Sequence, residues 1–235
     1  MVDILVDADS EIITQVNVLP ANGAEAMDAV ELIRQEEAAQ GNDIQSLSMD
    51  GAGANGPMLR ELENPEGLAV NTFVPVKTEA PSEIFESSDF VEDPETGRVI
   101  CPAGKKSRHQ GRDSKKRATI HRFDAEQCAP CPLLGQCMKK PPKRFGRNVR
   151  KNDYEKEYAR AREKTTTEAY ASVRSEHPKV ERKLGEMVNR HGGRRARYRG
   201  RGKVLIQELM AATATNVKRV VRLLCAPDAA PAAAT

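Results

Sequence analysis

A carboxylate suited to metal chemistry stands where a short apolar run ends. Asp50 follows residues 44–49, which have the composition of a strand, and it opens the glycine-rich stretch DGAGANG. In open α/β sheets, ligands and metals bind where strands end, and Mg²⁺ takes one or two carboxylates together with several waters. The alternative is an aspartate that only forms a turn, because Asp-Gly is common in loops.

A second carboxylate, Glu181, lies inside the basic stretch RSEHPKVERKLGEMVNRHGGRRARYRG, residues 174–200. On a helix it shares a face with Leu184 and Val188, and we expect this face to pack against a sheet. A carboxylate buried there needs a partner or a metal, and its basic neighbours could hold phosphates beside that metal. The alternative is a surface glutamate that pairs with an adjacent basic residue.

Four cysteines follow the pattern C-x26-C-x2-C-x5-C and are Cys101, Cys128, Cys131 and Cys137. No secretion signal is visible, so we expect reduced thiols rather than disulfides. Four soft ligands suit a tetrahedral Zn²⁺ ion, and unmetallated thiols are the alternative. His109 and His121 could replace a cysteine ligand, whereas Cys225 looks incidental.

A third candidate surface is the arginine-rich stretch around RRARYRGRGK. Arginine forks grip phosphates, tyrosine stacks, and glycine lets the backbone approach a duplex. A solvated basic loop is the alternative. The candidate DNA-contacting residues are Arg182, Lys183, Arg190, Arg194, Arg195, Arg197, Tyr198 and Arg199.

The charge distribution also favours a nucleic-acid partner. The net charge is only +3, but residues 1–100 contain 4 Lys+Arg against 21 Asp+Glu, and residues 101–235 contain 33 against 13. Such asymmetry indicates a polyanion partner for the basic half. No run approaches 18 apolar residues and the N-terminus is acidic, so we expect a cytoplasmic, nucleoid-associated protein with no membrane partner.

The elements that must position these residues can be predicted from periodicity. Strands are expected at 4–8, 12–19, 44–49 and 70–76, and helices at 24–40 and 57–62. This order indicates an α/β sheet in residues 1–76. Residues 77–100 read as an acidic loop, and further helices are expected at 153–168, 179–189 and 203–224. We divide the chain into a partial core (1–85), an acidic linker with a Cys-rich basic insertion (86–151), a helical basic C-terminal part (152–225) and a disordered tail (226–235).

Taken in order, these pieces resemble the DDE transposases of bacterial insertion sequences, in the subgroup with a cysteine-containing insertion. The resemblance covers about residues 3–224. It rests on LVDADSEIITQVNVLPAN, DGAGANGPMLREL, CPAG with CAPCPLLGQC, and HPKVERKLGEMVNRHGGRRARYRG followed by KV, Q and NVKR.

The resemblance implies an RNase H-like mixed sheet in which two aspartates and a glutamate hold two Mg²⁺ ions for attack on DNA phosphodiester bonds. Asp50 matches the second aspartate and Glu181 the glutamate. It also implies that the chain acts on transposon ends and self-associates in its full-length form. The spacing departs from the family in its auxiliary residues. Tyr170 and Arg174 stand further before Glu181 than the family pattern has them, and His177 occupies the nearer arginine place. Val188 stands where a basic residue is expected, and Arg190 is the first basic candidate.

The first aspartate of the family lies on the first strand, and two more strands precede the helix. Only two strands are expected here before residue 24, so neither Asp7 nor Asp9 fits that place. We therefore expect an N-terminally truncated transposase that lacks the first strand and is inactive alone. The alternative is a non-catalytic, zinc-containing DNA-binding protein whose carboxylates only pair with arginine.

Overall fold

The chain divides into two units. The computed structural model describes residues 1–20, 22, 28–76 and 82–225. The first unit combines Met1–Val76 with Glu157–Thr235, and the second is Lys77–Lys156. Within the described residues, no helix has the length and apolar content needed to cross a membrane.

An antiparallel hairpin begins the first unit. Strand β1, Val2–Val6, pairs with β2, Ile13–Val18, in a register that sets Val2 opposite Val18. The turn is closed by Asp7, whose Oδ2 accepts the Ser10 backbone N–H at 2.8 Å and its hydroxyl at 2.5 Å. Branched apolar residues favour strands, and short polar side chains favour turns. The predicted hairpin is confirmed, but β1 lies two residues earlier than predicted and β2 is one residue shorter at each end.

The remaining elements of residues 28–76 alternate helix and strand. They are α1, Ala29–Gln40; β3, Ser46–Ser48; α2, Gly56–Leu62; and β4, Asn71–Phe73. Helix α1 ends at Gly41, whose φ of 68° is the left-handed conformation that glycine adopts without strain. Strands β3 and β4 are parallel. The predicted element order and the α/β class are confirmed, while residues 24–27 of the predicted first helix lie outside the described residues.

The second unit is built on a three-stranded antiparallel sheet in the order β7-β8-β9. Its core consists of Phe90, Val99, Phe123 and Val149. The prediction that residues 77–100 form only a loop is wrong for residues 82–100, because two of these core residues anchor a short turn and a strand pair there. Residues 77–81 lie outside the described residues. The elements are a 3-10 turn at Ser87–Asp89, β5 Val91–Glu92, β6 Val99–Ile100, β7 His109–Asp113, β8 Ala118–Asp124, α3 Ala125–Cys128, α4 Leu134–Cys137 and β9 Phe145–Asn152.

Four helices follow: α5 Glu155–Lys164, α6 Glu168–Glu176, α7 Pro178–Arg190 and α8 Arg201–Cys225. The helix predicted over residues 153–168 is present as α5, but it ends at Lys164 because Thr165–Thr167 interrupt it. Their hydroxyls bond to nearby backbone carbonyls, and Thr167 accepts the Tyr170 N–H to cap α6. The predicted helices at 179–189 and 203–224 are confirmed. The predicted disordered tail, residues 226–235, lies outside the described residues.

Strand β1 lies between two apolar clusters of the first unit. Leu5 packs on the cluster that contains Ile33 and Leu59, and Ile4 packs on the cluster that contains Met187 and Ala211. Among the described residues, β1 pairs only with β2 and β3 only with β4. A cleft of about 1040 Å³ is lined by residues of β1 and by the β3 strand with the residues on either side of it. We call this space the interstrand cleft.

Candidate active site

Asp50 lies directly after β3 and caps the short 3-10 turn Gly51–Gly53. Its Oδ1 accepts the backbone N–H groups of Ala52 at 2.9 Å and Gly53 at 3.3 Å. A Cβ at Gly53 would lie 2.6 Å from the Cβ of Met49, so the turn requires glycine at that position. The carboxylate is exposed. Asp50 is therefore a capping aspartate whose second oxygen makes no hydrogen bond to the described part of the chain.

Glu181 lies in the first turn of α7 and is exposed. The expectation that its face packs on the sheet is wrong. The buried face of α7 instead carries Lys183 and Met187, and Lys183 is held there by Glu11, with Nζ and Oε2 3.5 Å apart. A charged lysine is buried only when it is paired, and this pairing rotates Glu181 toward solvent.

The structure brings the two predicted metal ligands to the same cleft. Asp50 and Glu181 both line the interstrand cleft, together with His177. Burial and the charge of Arg174 lower the pKa of His177, while the negative charges of Glu181 and Asp50 oppose that shift. His177 therefore lies within electrostatic range of both carboxylates.

Arg174 and Ser48 connect the helices to the end of β3. Arg174 donates to the Met49 carbonyl at 2.6 Å and to the Ser48 hydroxyl at 3.0 Å. The same hydroxyl lies 3.2 Å from Nδ1 of His177. The backbone that carries Asp50 is thus tied to α6 and to the start of α7. Sequence reasoning missed Ser48, although its place two residues before Asp50 puts both on one side of an extended segment.

Asp7 lines the interstrand cleft as well. Hydrogen bonds from Ser10 lower the pKa of Asp7, so this carboxylate serves the hairpin turn. Among the described residues, no three His, Cys, Asp or Glu side chains are grouped closely enough to hold a metal as they stand. Mg²⁺ usually keeps several waters and binds one or two protein carboxylates. Asp50 and Glu181 could supply these two ligands. They do not make up the set that two metals about 4 Å apart require.

The four predicted cysteine ligands converge in the second unit. Cys101, Cys128, Cys131 and Cys137 line one cavity of about 30 Å³. The Sγ of Cys101 accepts the backbone N–H of Lys105 at 3.4 Å. A Cβ at Gly146 would lie 2.4 Å from the Sγ of Cys128, so glycine is required there. Burial raises the pKa of the Cys137 thiol. Neither His109 nor His121 lines this cavity.

The predicted DNA-contacting residues fall into two groups. Lys183 is buried, and Arg182 lies 3.0 Å from Oε1 of Glu11. The others are exposed on the end of α7 and the following loop: Arg190, Arg194, Arg195, Arg197, Tyr198 and Arg199. Gln207 of α8 shapes this loop, since it donates to the Gly192 and Arg195 carbonyls and accepts the Arg197 N–H. The amide side chain of Gln207 thus bonds to the loop at three points.

The first unit thus has two carboxylates on one cleft, at a strand end and at a helix start, and an arginine-rich loop follows the other end of that helix. The family described as Transposase DDE domain matches residues 100–221, which is about half of the chain. The chain belongs to this family. The match includes the four cysteines and Glu181, whereas Asp50 precedes it. No curated protein and no solved structure matches the chain.

Proposed function

We propose that Asp50 and Glu181 are metal-binding carboxylates of a DNA strand-cleavage and strand-transfer site in this transposase. The observation that carries the proposal is their convergence on one cleft from distant parts of the chain, with His177 in electrostatic range of both. Divalent metal bound there would activate water or a 3′-hydroxyl and stabilise the leaving oxygen. Asp50 and Glu181 would supply the negative charge, and Arg174 would hold the strand end in place.

The family match does not favour the alternative of a non-catalytic DNA-binding protein. We also propose that the first unit is an RNase H-like core. An antiparallel pair followed by helix, strand, helix and parallel strand supports it. We propose further that residues 86–151 are an insertion between residues 1–85 and 152–225. The division into units supports this, because Lys77–Lys156 separates the two halves of the first unit.

The metal-site proposal is tested with Mn²⁺ in place of Mg²⁺ and with the ring resonances of His177 as the reporter. We expect Mn²⁺ to broaden the His177 resonances before those of the other three histidines. Asp50→Asn and Glu181→Gln should each abolish that selectivity. The conservative Asn side chain keeps an oxygen that can cap the turn, so the fold should survive.

Glu186→Gln is the matched control. The substitution removes the same charge from the same helix, but Glu186 pairs with His191 and Lys218. It should leave the broadening of His177 unchanged. Equal broadening in wild type and in both site variants would refute the assignment.

DNA is the partner that we propose for the exposed arginines after α7. Their guanidinium groups make no ion pair with a carboxylate of the described residues, so their charge is open to phosphates. Lys183 is left out of the proposed interface because it is buried and faces Glu11. Arg182 contributes less, because Glu11 already neutralises part of its charge.

We propose a structural Zn²⁺ ion at the four cysteines. The shared cavity, the N–H···S bond at Cys101 and the absence of a side chain at Gly146 support it. The sulfur atoms would need to move to close on an ion, since within the described residues they do not form a metal-binding group as they stand.

Metal analysis of protein prepared under reducing conditions tests the zinc site. We expect about one zinc per chain. Cys128→Ser should lose it, and Cys225→Ser should retain it because Cys225 is exposed at the end of α8. Zinc-free wild-type protein would end the proposal.

A further inference from the structure

Helix α8 is buried on one side and apolar on the opposite, exposed side. The buried side packs on β2 and carries Glu208, Ala211, Ala212 and Thr215. The other side is exposed, and its apolar residues are Ile206, Met210, Val217, Val220 and Leu224, with exposed fractions between 42% and 79%. A surface helix normally has polar residues on its solvent side. The outer face of α8 therefore has the character of an interface.

The spacing of the outer face is that of a coiled coil. Together with Thr213, the exposed positions are 206, 210, 213, 217, 220 and 224, which alternate steps of four and three residues. That alternation gives a mean spacing of 3.5 residues between these exposed positions. Such spacing places the a and d positions of a heptad repeat along one line of the helix, which we call the seam. The seam extends for about 27 Å along the helix at 1.5 Å per residue. A stripe that serves only a globular core does not need such regular alternation.

The polar features of the seam do not oppose pairing. The hydroxyl of Thr213 donates to the Leu209 carbonyl at 2.8 Å, so it is satisfied within the helix. The flanking e and g positions carry no charge: they are Gln207, Leu209, Ala214, Asn216, Val221 and Leu223. Like charges therefore do not face each other when two such helices pair.

The available area is close to what a stable dimer requires. The exposed apolar surface of the seam and of its neighbours Leu209, Val221 and Leu223 is on the order of 700 Å² per chain, against about 800 Å² per partner in standard interfaces. We propose that a second copy of this chain covers the outer face, so that two α8 helices pair as a two-stranded coiled coil.

We assign a second copy of the chain to this face because its α8 carries the same heptad spacing. Two helices with such a seam pair as a two-stranded coiled coil. The proposal does not depend on the proposed catalytic site, which lies on the interstrand cleft rather than on this face. A monomeric protein would leave the proposed function intact, and failure of the Mn²⁺ experiment would leave the dimer intact.

Sedimentation analysis of the full chain over a range of concentrations tests the dimer, in high salt with nucleic acid removed. We expect a reversible monomer–dimer equilibrium. Val217→Glu should weaken it by at least about 100-fold, because two carboxylates would enter an apolar seam. Val217 is 57% exposed, so the fold of the monomer and its circular dichroism should be unchanged.

Arg222→Gln is the matched control. It changes the net charge by the same amount, and residue 222 lies off the seam. It should leave the equilibrium as in wild type. A wild type that stays monomeric at about 100 μM, a concentration at which a pair with a Kd of about 1 μM is almost fully associated, would overturn the proposal. So would a dimer that is unaffected by Val217→Glu, or one that Arg222→Gln weakens equally.

Discussion

Replacing Arg174 with alanine should loosen the strand end that carries Asp50. The guanidinium is half-buried and donates at 2.6 Å to the carbonyl of Met49, a residue that is itself buried, and at 3.0 Å to the Ser48 hydroxyl. A hydrogen bond to a charged group contributes about 1.5–3 kcal/mol, and an orphaned buried acceptor costs about 1–3 kcal/mol. Because the side chain is partly exposed, we expect a loss of about 2–3 kcal/mol in the free energy of unfolding.

Urea denaturation of the purified chain measures this loss. The control is Arg190→Ala, which removes an exposed arginine from the last turn of α7 and should change stability by no more than about 0.5 kcal/mol. Arg174→Ala should also weaken the Mn²⁺ broadening of His177, since the backbone of Asp50 is no longer fixed. A stability loss equal to that of the control, with unchanged broadening, would refute this account of the site.

The pH dependence of the same variant gives an independent check. Burial and then the charge of Arg174 lower the folded-state pKa of His177 below its unfolded value of about 6.5. The unfolded chain therefore binds more protons as the pH falls through that value, and the folded state loses stability. Arg174→Ala removes one cause of the depression, so the pKa of His177 should rise. The stability gap between wild type and variant should consequently narrow below about pH 6.5.

Three further predictions concern DNA, α8 and cleavage. Duplex DNA affinity should fall by about 10³–10⁵ between 50 and 200 mM salt if six to ten phosphates are contacted. In fluorescence anisotropy, replacing Arg195, Arg197 and Arg199 together by alanine should weaken binding, whereas Asp50→Ala should leave it unchanged. Asn216→Ala should lose about 1–3 kcal/mol in urea denaturation, because its amide accepts the Ile13 N–H at 2.9 Å and donates to the Ile13 carbonyl at 2.8 Å. Plasmid nicking assays of this chain alone should show no Mg²⁺- or Mn²⁺-dependent cleavage, since two-metal chemistry needs more carboxylates than the described residues bring together. Nicking that is lost in both Asp50→Ala and Glu181→Ala would contradict this prediction.

Local patterns were sufficient for much of the fold. The hairpin follows from two runs of branched apolar residues around a short polar turn, and α8 follows from its helical periodicity. Residues 82–100 were misjudged because their acidic composition hides Phe90 and Val99, which become core residues only through contacts with the later strands of the second unit. Burial that depends on distant partners cannot be read from a local window.

Sequence reasoning proposed the two carboxylates of the candidate site but not the residues around them. Asp50 and Glu181 were found through strand-end chemistry and a resemblance, and the structure sets both on the interstrand cleft. The link through Ser48, Arg174 and His177 joins β3 to α6 and α7, and it depends on three-dimensional contacts more than 120 residues apart in the chain. No spacing rule within one segment could have revealed it.

The basic residues in the stretch that contains Glu181 fall into two sets. Some pair with Glu11 and hold the fold, and the others remain exposed. Burial alone would raise the pKa of Glu11, but the hydrogen bond from Arg182 and the charges of Arg219 and Lys183 outweigh it and lower the pKa. Glu11 sits in the turn of the hairpin, so these cations fasten α7 and α8 to that turn. The positive charge of α7 therefore serves partly to hold the fold. The arginines left for the proposed DNA contacts are Arg190 and those of the loop after it. Net charge counted along the sequence overstates the surface available to a polyanion, because it includes cations that an acidic residue from the other half of the chain has already neutralised.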